Sequence, residues 1–175
     1  VKWFFQYINW LIIINGNHYM WLQQGDPMKW LARSHQINSD WKVNVQIEFP
    51  EGQVFKCVAS HDFSGHSQWN PLHANMKMAK FGEAAHLYIA GHRHNWALTQ
   101  VELAEKNQTV WLARARGYKF MDDYALTKGY AEQRYGQAVA CIINPRSNSE
   151  TGFVQCFADL EEAANYLTFL RKKYQ

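Results

Sequence analysis

The clearest pattern along the chain is the alternation over residues 41–49. Trp41, Val43, Val45, Ile47 and Phe49 are apolar, and Lys42, Asn44, Gln46 and Glu48 between them are polar. A period of two puts the two sets on opposite faces of an extended chain, so this stretch predicts a half-buried strand. Pro50-Glu51-Gly52 turns it, and residues 54–59 return as a second strand. Leu11-Ile12-Ile13-Ile14 and Leu87-Tyr88-Ile89-Ala90 are short unbroken apolar runs. Such runs suit strands covered on both faces, and Asn15-Gly16 and Gly91 close them. Residues 96–103 and 109–115 predict a hairpin around Lys106-Asn107, and 137–143 with 153–157 another across 144–148.

Helical spacing is confined to three stretches. Asp26 as cap and Pro27 in the first turn start a helix that runs to about Ser34. Asn70-Pro71 opens a second over 72–80, which Phe81-Gly82 stops. Residues 160–173 form a closing amphipathic helix, with Leu160, Ala163, Ala164, Leu167 and Leu170 on one face. Residues 117–130 read as a long loop with at most a helical turn. The order is strand, helix, hairpin, helix, strand, hairpin, hairpin, helix. It defines a mixed fold, α/β in class with α+β character, in which antiparallel pairs join α/β crossovers. No repeat or linker divides the chain, and 175 residues suit a single domain, 1–175.

Composition narrows the function more than the fold. The net charge of +3 comes from scattered residues, and the one basic run, Arg171-Lys172-Lys173, suits a solvated helix end. No basic stripe marks a duplex-binding face, so nucleic acid is not favoured as a partner. The apolar opening through Ile14 is broken by Lys2, Gln6 and Asn9. It is too short to span a bilayer and lacks a cleavage site, so no membrane partner is expected and the location expected is cytoplasmic. Cys57, Cys141 and Cys156 are odd in number and far apart. That argues against a disulfide framework or a zinc–thiolate site and for three small core residues in a reducing compartment.

The chemistry lies where the apolar runs end. Asn17-His18 follows the first run, His61 follows the 54–59 strand, and His92-Arg93-His94 follows Gly91. Ligands on several strand tips can converge on one point, which isolated loop residues cannot. On extended backbone His92 and His94 would share a face, with Arg93 projecting away into solvent. A mixed set of amide oxygen and imidazoles suits manganese, iron or zinc better than calcium or magnesium. His66, in Gly65-His66-Ser67, has two equal readings: a residue that contacts phosphate or orients a ligand, and a loop histidine hydrogen-bonded for structure. His73 and His86 suit structural roles, and His35 a helix end. No Gly-x-Ser-x-Gly elbow or activated cysteine supports a serine or cysteine hydrolase.

Gly16-Asn17-His18, the lone His61 and Gly91-His92-Arg93-His94, each after an apolar strand and in this order, resemble the last three motifs of calcineurin-like metallophosphoesterases. The stretch from His61 to Pro71, Arg116-Gly117-Tyr118-Lys119 and Asp122-Asp123-Tyr124 resemble the phage and bacterial branch. Tyr19 stands where that family usually has an acid. The resemblance implies the carboxyl-terminal part of a four-layer α/β/β/α sandwich with mixed sheets. It implies two divalent metal ions and hydrolysis of a phosphomonoester or phosphodiester by a metal-bound hydroxide. Asn17, His61 and His92 would bind one metal and His94 the other. His18 would be the catalytic residue that stabilises the transition state or protonates the leaving group. The family's earlier Asp-x-His and Gly-Asp motifs do not precede Gly16, where no Asp, Glu or His occurs. An amino-terminal segment is therefore expected to be missing, with activity impaired. The alternative is a truncated or degenerate domain that binds metal or a partner without catalysis.

Overall fold

The structure, a computed structural model, describes residues 7–17, 25–117, 126–127, 129 and 138–175. Its elements in chain order are β1 (Ile12–Ile14), α1 (Pro27–Ser34), β2 (Asn38–Asp40), β3 (Lys42–Glu48), β4 (Val54–Ser60) and α2 (His73–Phe81). After these come β5 (Leu87–Ala90), β6 (Ala97–Leu103), β7 (Gln108–Arg114), β8 (Ala140–Ile143), the single turn α3 (Glu150–Phe153), β9 (Val154–Phe157) and α4 (Leu160–Lys173). The mixed α and β class expected from the pattern is what the fold shows.

The central sheet has the order β3-β4-β5-β7-β6. β3 runs antiparallel to β4, from Lys42 opposite Ser60 to Glu48 opposite Val54. β4, β5 and β7 are mutually parallel, and β6 closes the far edge antiparallel to β7. The parallel strands alternate between two cores. Val58, Tyr88, Ala90, Val110 and Leu112 face α2 together with Leu72, Ala74 and Ala79. Cys57, Ala59, Leu87 and Ala113 face the opposite way, toward Phe153, Val154 and Cys156. That second core also takes up the apolar set of β3, Val43, Val45 and Ile47, and α4 packs against β8 and β9.

Three details were not expected, the first being the helical turn α3 between β8 and β9. Asn38, Ser39 and Asp40 form a short strand parallel to β1, pairing Ile12 with Asn38 and Ile14 with Asp40. Cys141 and Cys156 are joined by a disulfide across the β8–β9 ladder, with Cα atoms 4.2 Å apart. The neighbouring ladder bond runs from Asn144 N–H to Phe153 O, so the 141/156 position is a non-hydrogen-bonded pair, where facing side chains come closest. The pairing corrects the expectation of three separate thiols, and with it the ground for inferring a reducing compartment. Cys57 does behave as a small core residue: it is buried, and burial pushes its thiol up to about 12.

The helices follow their local signals. Asp26 Oδ1 accepts from Met28 N–H (2.9 Å), Pro27 begins α1, and His35 sits at its carboxyl end. Asp159 caps α4 through Glu161 N–H at 2.8 Å and Glu162 N–H at 2.9 Å. No described helix is long and apolar enough to cross a membrane. The tryptophans divide between roles: Trp41 and Trp111 are half-buried, whereas Trp30 and Trp69 stand out in solvent. Asp122-Asp123-Tyr124 and the greater part of the 117–130 loop lie outside the described residues.

Candidate metal centre and adjoining cleft

Because β4, β5 and β7 run in parallel, their carboxyl ends meet at one edge of the sheet. In such sheets that edge is where ligands bind, since each strand delivers its next residues to the same crevice. Here β4 delivers His61 and Asp62, β5 delivers Gly91, His92 and Arg93, and β7 ends in Arg114. β1 reaches the edge through the link between β2 and β3. Asn15 N–H donates to Asp40 O (2.8 Å) and His61 N–H donates to Trp41 O (2.9 Å). Adjacent carbonyls thus dock the exits of β1 and β4 side by side.

The result joins three of the expected ligands. His61 Nε2 lies 3.0 Å from Asn17 Oδ1, and the His61 and His92 rings meet edge-on with centroids 4.5 Å apart. Trp41 supports the other side of His61 at 5.8 Å, and the Gly16 backbone runs against its ring. Asn17 and His61 form a hydrogen bond. Their spacing is also that of adjacent ligands on one octahedral ion with bonds of about 2.1 Å. An amide oxygen and two imidazoles are donors of the kind manganese, iron or zinc accept, so these residues fit such an ion. Among the described residues no three His, Cys, Asp or Glu side chains gather around one point.

His94 is held differently. Its ring packs on Gly117, where a Cβ would stand 3.2 Å from it. The backbone through the motif is not the extended chain expected from its spacing: His92 has φ 62° and His94 φ 56°. Arg93 N–H turns back to Gly91 O at 2.8 Å. The convergence of His61 and His92 therefore comes from a turn rather than from strand alternation. Left-handed backbone at non-glycine residues is strained and clusters at functional sites. His18, the expected catalytic residue, lies outside the described residues.

Arg93 does not simply face solvent. Its Nε donates to Asp62 Oδ2 at 3.0 Å, and Arg114 reaches Asp62 Oδ1 at 3.5 Å. The Arg114 side chain is 2 % exposed and also meets Asn75 Oδ1 at 3.5 Å. Asn75, fully buried in α2, donates in turn to Tyr88 O (3.1 Å) and Ala113 O (2.9 Å). Burial pulls the Arg114 pKa down and Asp62 pushes it back up. Beside this network opens a shallow cleft lined by His66, Asn70, His73, Arg93 and Arg114. His66 thus faces the arginines, and His73, expected to be structural, lines the same cleft. His86 does have a structural role: its Nδ1 accepts Lys56 N–H at 3.0 Å.

Asp62, Arg114 and Asn75 were not anticipated. A signal existed for Arg114, a charged residue directly after Val110-Trp111-Leu112-Ala113. Asp62 was visible beside His61 but carries no motif of its own. The fold and its edge define an α+β protein with a polar, histidine-bearing crevice. No protein-family model matches the chain, and a search of curated proteins returns no match.

Proposed function

We propose that this protein is a metal-dependent phosphoesterase of the calcineurin-like kind, acting on a phosphomonoester or phosphodiester. The observation that carries the reading is the meeting of Asn17, His61 and His92, delivered by three separate strands. Asn17 Oδ1, His61 Nε2 and the His92 imidazole would hold one divalent ion, manganese, iron or zinc, with His94 directed to a second. A divalent ion in such a site lowers the pKa of water and neutralises phosphoryl oxygens. Trp41 and the Gly16 backbone fix the His61 ring, and the turn at Gly91 aims His92 at it. His18, next to Asn17 in the sequence, is proposed as the group that stabilises the leaving oxygen or protonates it.

None of the three grouped side chains is a carboxylate, and Asp62, the nearest acid in sequence, is engaged by two arginines. Metal binding is therefore expected to be weak and turnover low. The same fact favours, as a second reading, a domain that binds metal or a partner without hydrolysis.

The test is metal content and turnover of a chromogenic phosphodiester, for wild type and His92→Ala. Loss of bound metal in His92→Ala with measurable wild-type turnover supports the enzyme. Loss of metal without turnover in either protein supports the non-catalytic reading. Unchanged metal content in His92→Ala would overturn the assignment of the site.

A further inference from the structure

We infer that the cleft beside the histidines is a separate oxyanion site, built for a phosphate group. Two arginines face it and one carboxylate, Asp62, pairs with both, which leaves one positive charge before either histidine is counted. The Arg93 Nε is committed to Asp62, so the two terminal amino groups of its fork remain for a ligand. Arg114 lines the cleft although its side chain is 2 % exposed, and its Nε is buried with no hydrogen-bond partner among the described residues. An unpaired donor on a buried cation is costly, and an anion seated above it would relieve that cost.

The amino-terminal end of α2 points to the same ligand independently. His73 and Ala74, its first residues, line the cleft, and no side chain caps this end. His73 N–H donates to Asn70 O at 3.1 Å, so the attraction for an anion there comes from the Ala74 N–H and the helix dipole. Gly65, at φ 112°, brings the His66 loop over the cleft in a conformation that other residues rarely adopt. Donors then converge from α2, from the His66 loop, from Arg93 and from Arg114. Convergence from several directions suits a tetrahedral phosphate better than a planar carboxylate. The inference needs no metal and stands apart from the reading proposed above.

The test is a titration of ¹⁵N-labelled full chain with inorganic phosphate in the presence of a chelator, followed at the Gly65 and Ala74 amides. Saturable shifts are expected. Arg93→Gln should weaken them at least about tenfold, the loss of one charge-assisted hydrogen bond. His66→Gln should weaken them less, and His92→Ala should leave them in place. A parallel titration with phenyl phosphate separates the sources. Binding at least as tight as inorganic phosphate means the group is carried on a larger molecule, whereas weaker binding means free phosphate. Shifts that fail to saturate, that chloride reproduces at equal ionic strength, or that ignore Arg93→Gln would overturn the proposal. So would their loss in His92→Ala, because the anion would then belong with the histidines.

Discussion

At the scale of the residue, the histidine motif shows how far a side-chain pattern depends on the backbone beneath it. With φ at 62° and 56°, His92 and His94 occupy left-handed conformations that cost an L-residue about 1–2 kcal/mol. Glycine escapes that cost, so at position 94 two truncations should differ. His94→Gly is expected to be more stable than His94→Ala by about 1 kcal/mol in urea unfolding, although both lose the same ring contact with Gly117. In ordinary backbone the order would reverse, so an alanine variant as stable as the glycine one would deny the strain. His86 offers a second case. Burial holds its pKa below 6.5, Lys56 adds to the effect and Glu150 opposes it, and its Nδ1 accepts Lys56 N–H. The unfolded chain therefore binds the proton more readily than the folded one. The contribution of His86 to stability is complete above pH 6.5 and is lost as pH falls through its lower folded value. Stability measured above and below pH 6.5 should fall more steeply toward acid in wild type than in His86→Gln, which keeps an acceptor for Lys56 but does not titrate. Equal slopes would remove His86 from the pH response.

At the scale of the element, the β8–β9 pair is tied by the Cys141–Cys156 disulfide over a sequence separation of 15. Closing a loop of that size restricts the unfolded chain by about 3 kcal/mol at most. The double variant Cys141→Ser/Cys156→Ser should lose about 2–3 kcal/mol relative to oxidised wild type. Wild type in reductant should fall to the same level; no change on reduction would mean the bond does not form. The cysteines were legible only as a count, because spacing carries no register and the register puts 141 opposite 156. Where a signal is local, the element forms where the sequence places it. Asp26 and Pro27 marked α1, and the apolar run ending at Gly91 marked β5. The period of two marked β3, whose apolar set packs as expected. β2 was not legible, because Asn38-Ser39-Asp40 is polar and owes its extended form to pairing with β1. For the site, strand-end positions identified Asn17, His61 and His92 as candidates. The turn that joins the last two depends on positive φ at non-glycine residues, which no residue pattern announces.

Across the whole molecule, the Asp62 network links the edge of the sheet to its core. Asp62 leaves β4, Arg93 leaves β5, Arg114 ends β7 and Asn75 belongs to α2, so four elements meet through one carboxylate and one buried guanidinium. Such a pair gives little net stability when intact, because desolvation offsets attraction, but removing one partner strands the other charge. For a fully buried pair that loss is about 3–5 kcal/mol. The Asp62 side chain is 20 % exposed and Arg114 lies 3.5 Å away, so water and distance soften the loss. Asp62→Asn is expected to cost about 2–3 kcal/mol in urea unfolding, through the Arg114 charge left buried at the end of β7. The control is Arg114→Met in the same background. With the buried cation gone, Asp62→Asn has little left to strand, so the double variant should cost at least about 1 kcal/mol less than the two single changes together. Strict additivity would mean that Asp62 acts only through Arg93 at the surface, and that the sheet edge is not tied to the core by charge.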